Sequence, residues 1–235
     1  MSESSHWLVT KIIAGHSIAC NMDTLLTMWL AMGLLIVFAI LIIRNASVIP
    51  TKLQYIGESI INYFSAITSG GMGEEESKKH NPLILTLFMF ILTANLIGQI
   101  PLRIIHLTSG ELASPDNDIN MTAAMAIVVS IYYIYYGIQK HGVVKFFFHG
   151  WSIGGIMTTL IDGLELFVRP FSLALRLFAN ILAGEIMVMT FLGMVAYFVP
   201  LPFMLFELFV ALIQALVFAL LTSTYITMSV TDEEE

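Results

Sequence analysis

Apolar residues dominate this chain in five long runs that polar punctuation separates. About 20 apolar residues make a helix long enough to cross the hydrocarbon of a bilayer. The first run covers about Leu25 to Ile43 and stops at Arg44. The second starts after Pro82 and ends near Ile100, before Pro101, and the third covers about Ala123 to Tyr136. The last two cover about Thr158 to Val199 and Pro202 to Met228. Between the first two, Lys52 to Ile67 mixes polar and apolar positions, which predicts a helix lying at the interface rather than a span. The fourth run is some 40 residues, or about 60 Å as a helix, twice the hydrocarbon thickness. It must tilt, kink or lie partly across the membrane, and Pro170 is the expected site of a bend.

Composition agrees with this pattern. Of 235 residues, 57% are hydrophobic and only 11% charged, with a mean hydropathy of +0.86. Soluble domains carry about a quarter charged residues, so this chain has too little polar surface to face water all round. The expected fold is an all-α polytopic membrane protein with about five membrane-embedded helices, the last two forming a long tilted antiparallel hairpin. We read residues 1–235 as a single membrane domain. It comprises an external N-terminal segment (1–24), peripheral helices and loops (25–150), a helical hairpin (151–230) and an acidic cytoplasmic tail (231–235).

The net charge of −7 is concentrated in two blocks, Glu74 to Glu76 and Asp232 to Glu235, which read as solvated loops or tails. Cys20 is the single cysteine, so no intrachain disulfide is possible. The first twenty residues do not read as a cleaved signal peptide. Cations set the orientation. With the N-terminus outside, Arg44, Lys52, Lys78, Lys79, Lys140 and Lys145 fall on the cytoplasmic side, against Lys11 and Arg103 outside. That bias predicts N-out and C-in.

Candidate chemistry lies in the fourth run. Asp162, Glu165, Arg169, Ser172, Arg176 and Asn180 recur at intervals of three or four, and all fall within roughly 40° of Arg176 on a helix. Such a stripe must face water, a partner helix or a moving charge, not lipid. Asp162 to Arg169 also suits charges at headgroup level. Arg176 is different. It is flanked by Leu173, Leu175, Leu177 and Phe178, and a charge at mid-membrane costs about 3 kcal/mol or more. No acid stands three or four residues away; an ion pair with another helix is the structural alternative. Glu185 points about 180° from Arg176 and lies about 13 Å along the axis, so the two are not a pair. On the last helix Glu207, Gln214 and Tyr225 share a face. The turn near Pro200 and Pro202 puts Glu185 and Glu207 nearer the external end, with Gln214 deeper, as a hydrated inlet would be built.

These residues resemble subunit a of the rotary F-type ATP synthases. Arg169-Pro170-Phe171-Ser172-Leu173-Ala174-Leu175-Arg176-Leu177-Phe178-Ala179-Asn180, with Ala183-Gly184-Glu185, resembles the family's RPLSLxLRLFGN followed by AGE. Gln214-Ala215-Leu216-Val217-Phe218, Leu221-Thr222 and Tyr225 resemble the QAxxFxxLTxxY of its last helix. Asn81-Pro82-Leu83, Asn95-Leu96, and Ser114-Pro115 with Asp118, Asn120 and Thr122 extend the likeness to nearly the whole chain from about residue 25.

The resemblance implies a stator subunit of the Fo proton channel, non-catalytic by itself, with no cofactor or metal. Arg176 would face the essential carboxylate of each passing c subunit and block a direct leak between two offset half-channels. Asn180, Glu185, Glu207, Gln214 and Asn95 would line the exchange site and the external half-channel. Asp162, Glu165 and Ser172 fall where the family places the cytoplasmic outlet. The implied partners are the c-subunit ring, the b subunits of the peripheral stalk, the remainder of F1Fo, and lipid.

Two positions depart from the pattern. Ala179 replaces a glycine, and Gly98 stands where some members carry an acid. The Glu185 and Glu207 combination is typical of bacterial members, so a bacterial plasma (inner) membrane is expected. A secondary transporter would show an internal repeat, which is not seen. A membrane-embedded enzyme would show a motif such as HExxH or GxSxG, and none occurs.

Overall fold

The computed structural model describes residues 8–13, 16–44, 46–99, 118–143, 146, 153–194 and 200–231. Arg103, Lys145, Ser114-Pro115 and the acidic residues 232–235 lie outside it. So does the side chain of Glu185, whose backbone is helical.

The apolar runs become helices, longer than the pattern predicts except for the fourth, whose helix has the same length but starts and ends about five residues earlier. Helix α1 is Met22–Arg44, α2 Lys52–Met72, α3 Glu74–Gln99, α4 Ile119–His141, α5 Ile153–Met194 and α6 Pro200–Val230. Five of them, all except α2, are long and apolar enough to cross a membrane. The protein is an all-helical polytopic membrane protein, apart from one element the sequence did not suggest. Strands β1 (Leu8–Ile13) and β2 (His16–Asn21) pair antiparallel just before α1. Asn21, the last residue of β2, donates from Nδ2 to Asp118 Oδ2 at 2.7 Å.

Helix α1 is apolar all round and ends on Arg44, a cation suited to the negative end of the helix dipole. Trp29, Leu30, Ile36 and Val37 are all more than half exposed, as side chains facing lipid would be. Helix α2 is set by its caps. The Thr51 side chain accepts from the Gln54 backbone N–H, and Gln54 Nε2 in turn donates to Ser47 O (3.1 Å) and Glu58 Oε1 (2.8 Å). Gly73, with φ of 82°, ends the helix in a conformation that favours glycine, and α3 begins at the next residue.

The start of α3 corrects two expectations. The helix begins at Glu74, eight residues before Pro82, and the glutamate block forms its first turn rather than a loop. Acids are favoured there because the backbone N–H groups of the first turn point at them. Pro82 is inside the helix. Thr68 and Ser77 hydroxyls meet at 2.6 Å, and Phe64 packs on Phe88 with centroids 4.8 Å apart, so α2 lies against this half of α3. His80 is fully buried. Its Nδ1 is 3.0 Å from the Tyr132 hydroxyl on α4, its Nε2 is 3.5 Å from Glu76 Oε2, and its ring meets Tyr136 edge to face.

Helix α5 has 42 residues, about 63 Å of axis. It runs through Pro170 without ending there. The chain divides into two compact units. One holds residues 1–46, 89–118 and 178–215, and the other residues 47–88, 119–177 and 216–235. Within the first, α5 and α6 run antiparallel, Gly184 facing Glu207 and Phe191 facing Phe203. In the first unit Phe191 stacks on Phe203, with centroids 4.0 Å apart and planes 10° apart. In the second the Arg169 guanidinium lies over the Tyr225 ring.

Candidate functional site

Arg176 falls inside the membrane-spanning stretch Met157–Gly184 and is exposed. It makes no hydrogen bond or ion pair among the described residues, which answers the structural alternative for them. Its helix buries the flank on one side of it, where Leu173 and Leu177 are 1% and 0% exposed. The other flank is exposed and apolar, with Met157, Leu160, Ile161, Leu164, Phe167, Val168, Phe171 and Leu175 along it, so Arg176 stands at its edge. Ala179 and Ala183 follow Arg176 on that side and are exposed too. A strong cation is thus displayed on a lipid-like surface next to small residues. Only a partner bringing negative charge, or water, makes that position tolerable.

The unit holding residues 178–215 gathers the second group. Asn180, Ala183, Gly184 and Met187 of α5 and Phe203, Phe206, Glu207 and Val210 of α6 line a cavity of about 90 Å³. Glu207 lies against Gly184. A Cβ built on that glycine would be 2.5 Å from Glu207 Oε1 and 2.8 Å from its Cδ, so only a bare backbone lets the carboxylate sit there. Deeper along α6, Asn95 of α3 is buried and donates from Nδ2 to Ala211 O at 3.2 Å. Its Oδ1 and the Nε2 of buried Gln214 have no protein partner among the described residues. Two orphaned amide atoms in one packed region are a demand for water.

The other unit holds Asp162, Glu165 and Ser172, each half-buried on α5. Arg169 forms an ion pair with Glu165 one turn earlier. Its guanidinium also lies 5.1 Å from the Tyr225 centroid and 6.0 Å from that of Tyr133. No cluster of three or more metal-ligating side chains occurs among the described residues. The stripe read from the sequence therefore has two fates: Arg169 is satisfied within the chain, whereas Arg176 is not.

The sequence reading missed three partners. Gly184 stood in the AGE match, but its contact with Glu207 depends on where α6 packs. Tyr133 carried no signal beyond an aromatic run. His80 was one of six scattered histidines, although its spacing from Glu76 is a helical turn.

The family model described as ATP synthase A chain matches residues 25–227. The chain belongs to that family. It is 39% identical over 215 residues to an ATP synthase subunit a of Gloeobacter violaceus, an alignment covering 91% of this chain and 85% of that protein. The chloroplastic subunit a of Stigeoclonium helveticum is also 39% identical, over 94% of this chain and 88% of its own length. That of Oedogonium cardiacum is 38% identical over 89% and 83%. As a member of the subunit a family, with five apolar spans, this chain is a membrane subunit of an ATP synthase.

Proposed function

We propose that this subunit a is the stator of an Fo proton channel. It offers two offset half-channels to a rotating c-subunit ring and couples proton flow to ATP synthesis, without catalysing a covalent step itself. The observation that carries the reading is Arg176, an exposed cation without a partner among the described residues, on an apolar membrane-spanning face. In low dielectric a cation of this kind attracts a carboxylate strongly. It would favour the ionised form of each ring carboxylate that passes and stop protons from leaking directly between the half-channels.

The external half-channel is assigned to Glu207, Glu185, Asn180, Gln214 and Asn95. The cavity beside Glu207 and the orphaned amides of Asn95 and Gln214 support a hydrated path. A proton taken from it neutralises a ring carboxylate, which can then turn into lipid. The cytoplasmic half-channel is assigned to Asp162, Glu165 and Ser172, where the proton is released after nearly a full turn. The b subunits of the peripheral stalk and the rest of F1Fo are the remaining partners. The setting is a bacterial plasma membrane, with the N-terminus outside and the C-terminus in the cytoplasm.

The test is Arg176→Ala in the complete ATP synthase, reconstituted into liposomes. ATP-driven proton pumping is expected to vanish while assembly persists. Retained pumping would overturn the assignment.

A further inference from the structure

Arg169 and Arg176 lie on one stripe, seven residues or about 10.5 Å apart along α5, yet only Arg169 is pinned. Its Nη2 pairs with Glu165 Oε2 and lies 3.8 Å from Met228 Sδ. Its guanidinium carbon sits 5.1 Å from the Tyr225 ring centroid and 6.0 Å from that of Tyr133, within the range where a ring face attracts a cation. Tyr133 is 1% exposed, on α4, while Tyr225 and Met228 are on α6. Three helices therefore fix this charge in place. The Glu165 side chain is 44% exposed, against 20% for Arg169, so the acid is on the wetter side of the pair.

We propose that Glu165 is a positioning residue whose task is to cancel the field of Arg169 in the cytoplasmic proton path, rather than to carry protons. This deepens the reading of that path given above and rests on it. A carboxylate that relays protons must alternate between charged and neutral. Each time Glu165 became neutral it would strand Arg169, whose side chain is only 20% exposed and lies against two tyrosine rings. A paired Glu165 does the opposite. Together the two side chains form a compact dipole, and a leaving proton meets little net positive charge. Without Glu165, a fixed cation about 10 Å from the exchange position would oppose a passing proton by an amount worth about tenfold in rate, taking an effective dielectric of about 20.

The experiment compares ATP-driven proton pumping by the reconstituted complete complex carrying Glu165→Gln, Glu165→Gln with Arg169→Gln, and Glu165→Gln with Arg169→Lys. The first variant is expected to pump about tenfold more slowly. Removing both charges recovers most of that loss, whereas the lysine variant stays slow because it keeps the cation. The Glu165→Gln rate also rises with ionic strength, because salt screens an uncompensated charge near water. That measurement stands even if the double variants fail to assemble, since it needs only the single one. Pumping by Glu165→Gln at the parental rate would overturn the proposal. So would equal slowness with and without Arg169, or a slow rate indifferent to salt, since either marks a lost proton carrier. Failure of the stator reading itself shows separately, as pumping that survives Arg176→Ala.

Discussion

Replacing Gly184 by alanine isolates the position of one carboxylate from the stability of the fold. The new methyl would lie 2.5 Å from Glu207 Oε1, against 3.4 Å for ordinary contact, so the carboxylate must retreat by about 0.9 Å. The next nearest atoms are Glu207 Cδ at 2.8 Å and Cγ at 3.0 Å. All three belong to one flexible side chain, so the backbone is not forced apart. Alanine also favours an α-helix over glycine by about 0.8–1 kcal/mol. The melting temperature of the purified complex is therefore expected to stay level or rise slightly. The cost falls on Glu207 instead. Driving it off its preferred rotamer takes about 1 kcal/mol, which as a barrier to proton transfer is about fivefold in rate.

Passive proton flux through Fo, measured in liposomes after F1 is stripped, reads this directly. Gly184→Ala is expected to reduce it about fivefold. Adding Glu207→Asp shortens the acid by one methylene and makes room for the methyl, so the pair should conduct better than Gly184→Ala alone. Flux at the parental level in Gly184→Ala would refute the claim that this contact sets the position of Glu207. A pair no better than the single variant would refute the steric account.

Two further predictions concern the packing that holds the paths in place. Tyr132→Phe removes the hydroxyl 3.0 Å from buried His80 Nδ1 and is expected to cost about 1–2 kcal/mol, read as a lower melting temperature in detergent with pumping retained. Gly137→Ala puts a methyl 2.3 Å from Phe146 Cε2 and should destabilise the protein by about 1–3 kcal/mol. A smaller side chain at Phe146 should recover part of that loss, and no recovery would show that the ring is not the obstacle.

The spans were legible because hydrophobic length is a property of the chain alone. Their ends were not. Glu74 to Glu76 look like a solvated run, yet a helix N-terminus welcomes acids, and α3 absorbs them. Lys52 to Ile67 was read correctly as apart from the spans, and helix α2 extends it to Met72, where Gly73 stops it. The β1–β2 hairpin was missed because pairing joins positions on two short segments, and no turn-forming pattern in this stretch was read. Among candidate site residues, spacing alone put Asp162 to Asn180 on one helical stripe. It could not tell which neighbours from α4 and α6 would meet them.

Arg169 and Arg176 show why that difference matters. Both are arginines on the same stripe of the same helix, and spacing already puts Glu165 one turn from Arg169 and no acid one turn from Arg176. What spacing could not show is where other helices place π-faces, which meet Arg169. Arg169 has an acid one turn away and two tyrosines from other helices, so its desolvation is offset within the chain. Among the described residues Arg176 has neither, and the flank beside it that carries Leu175 is open. A charge that a fold could compensate but leaves exposed on an apolar span is unstable by itself. Its stability must come from a counter-charge outside the chain, and a counter-charge that came and stayed would make a static salt bridge. A stator needs one that arrives, is held briefly and leaves. The absence of an internal acid near Arg176 among the described residues is therefore the feature that suits it to a moving partner, as the acid beside Arg169 suits that residue to staying still.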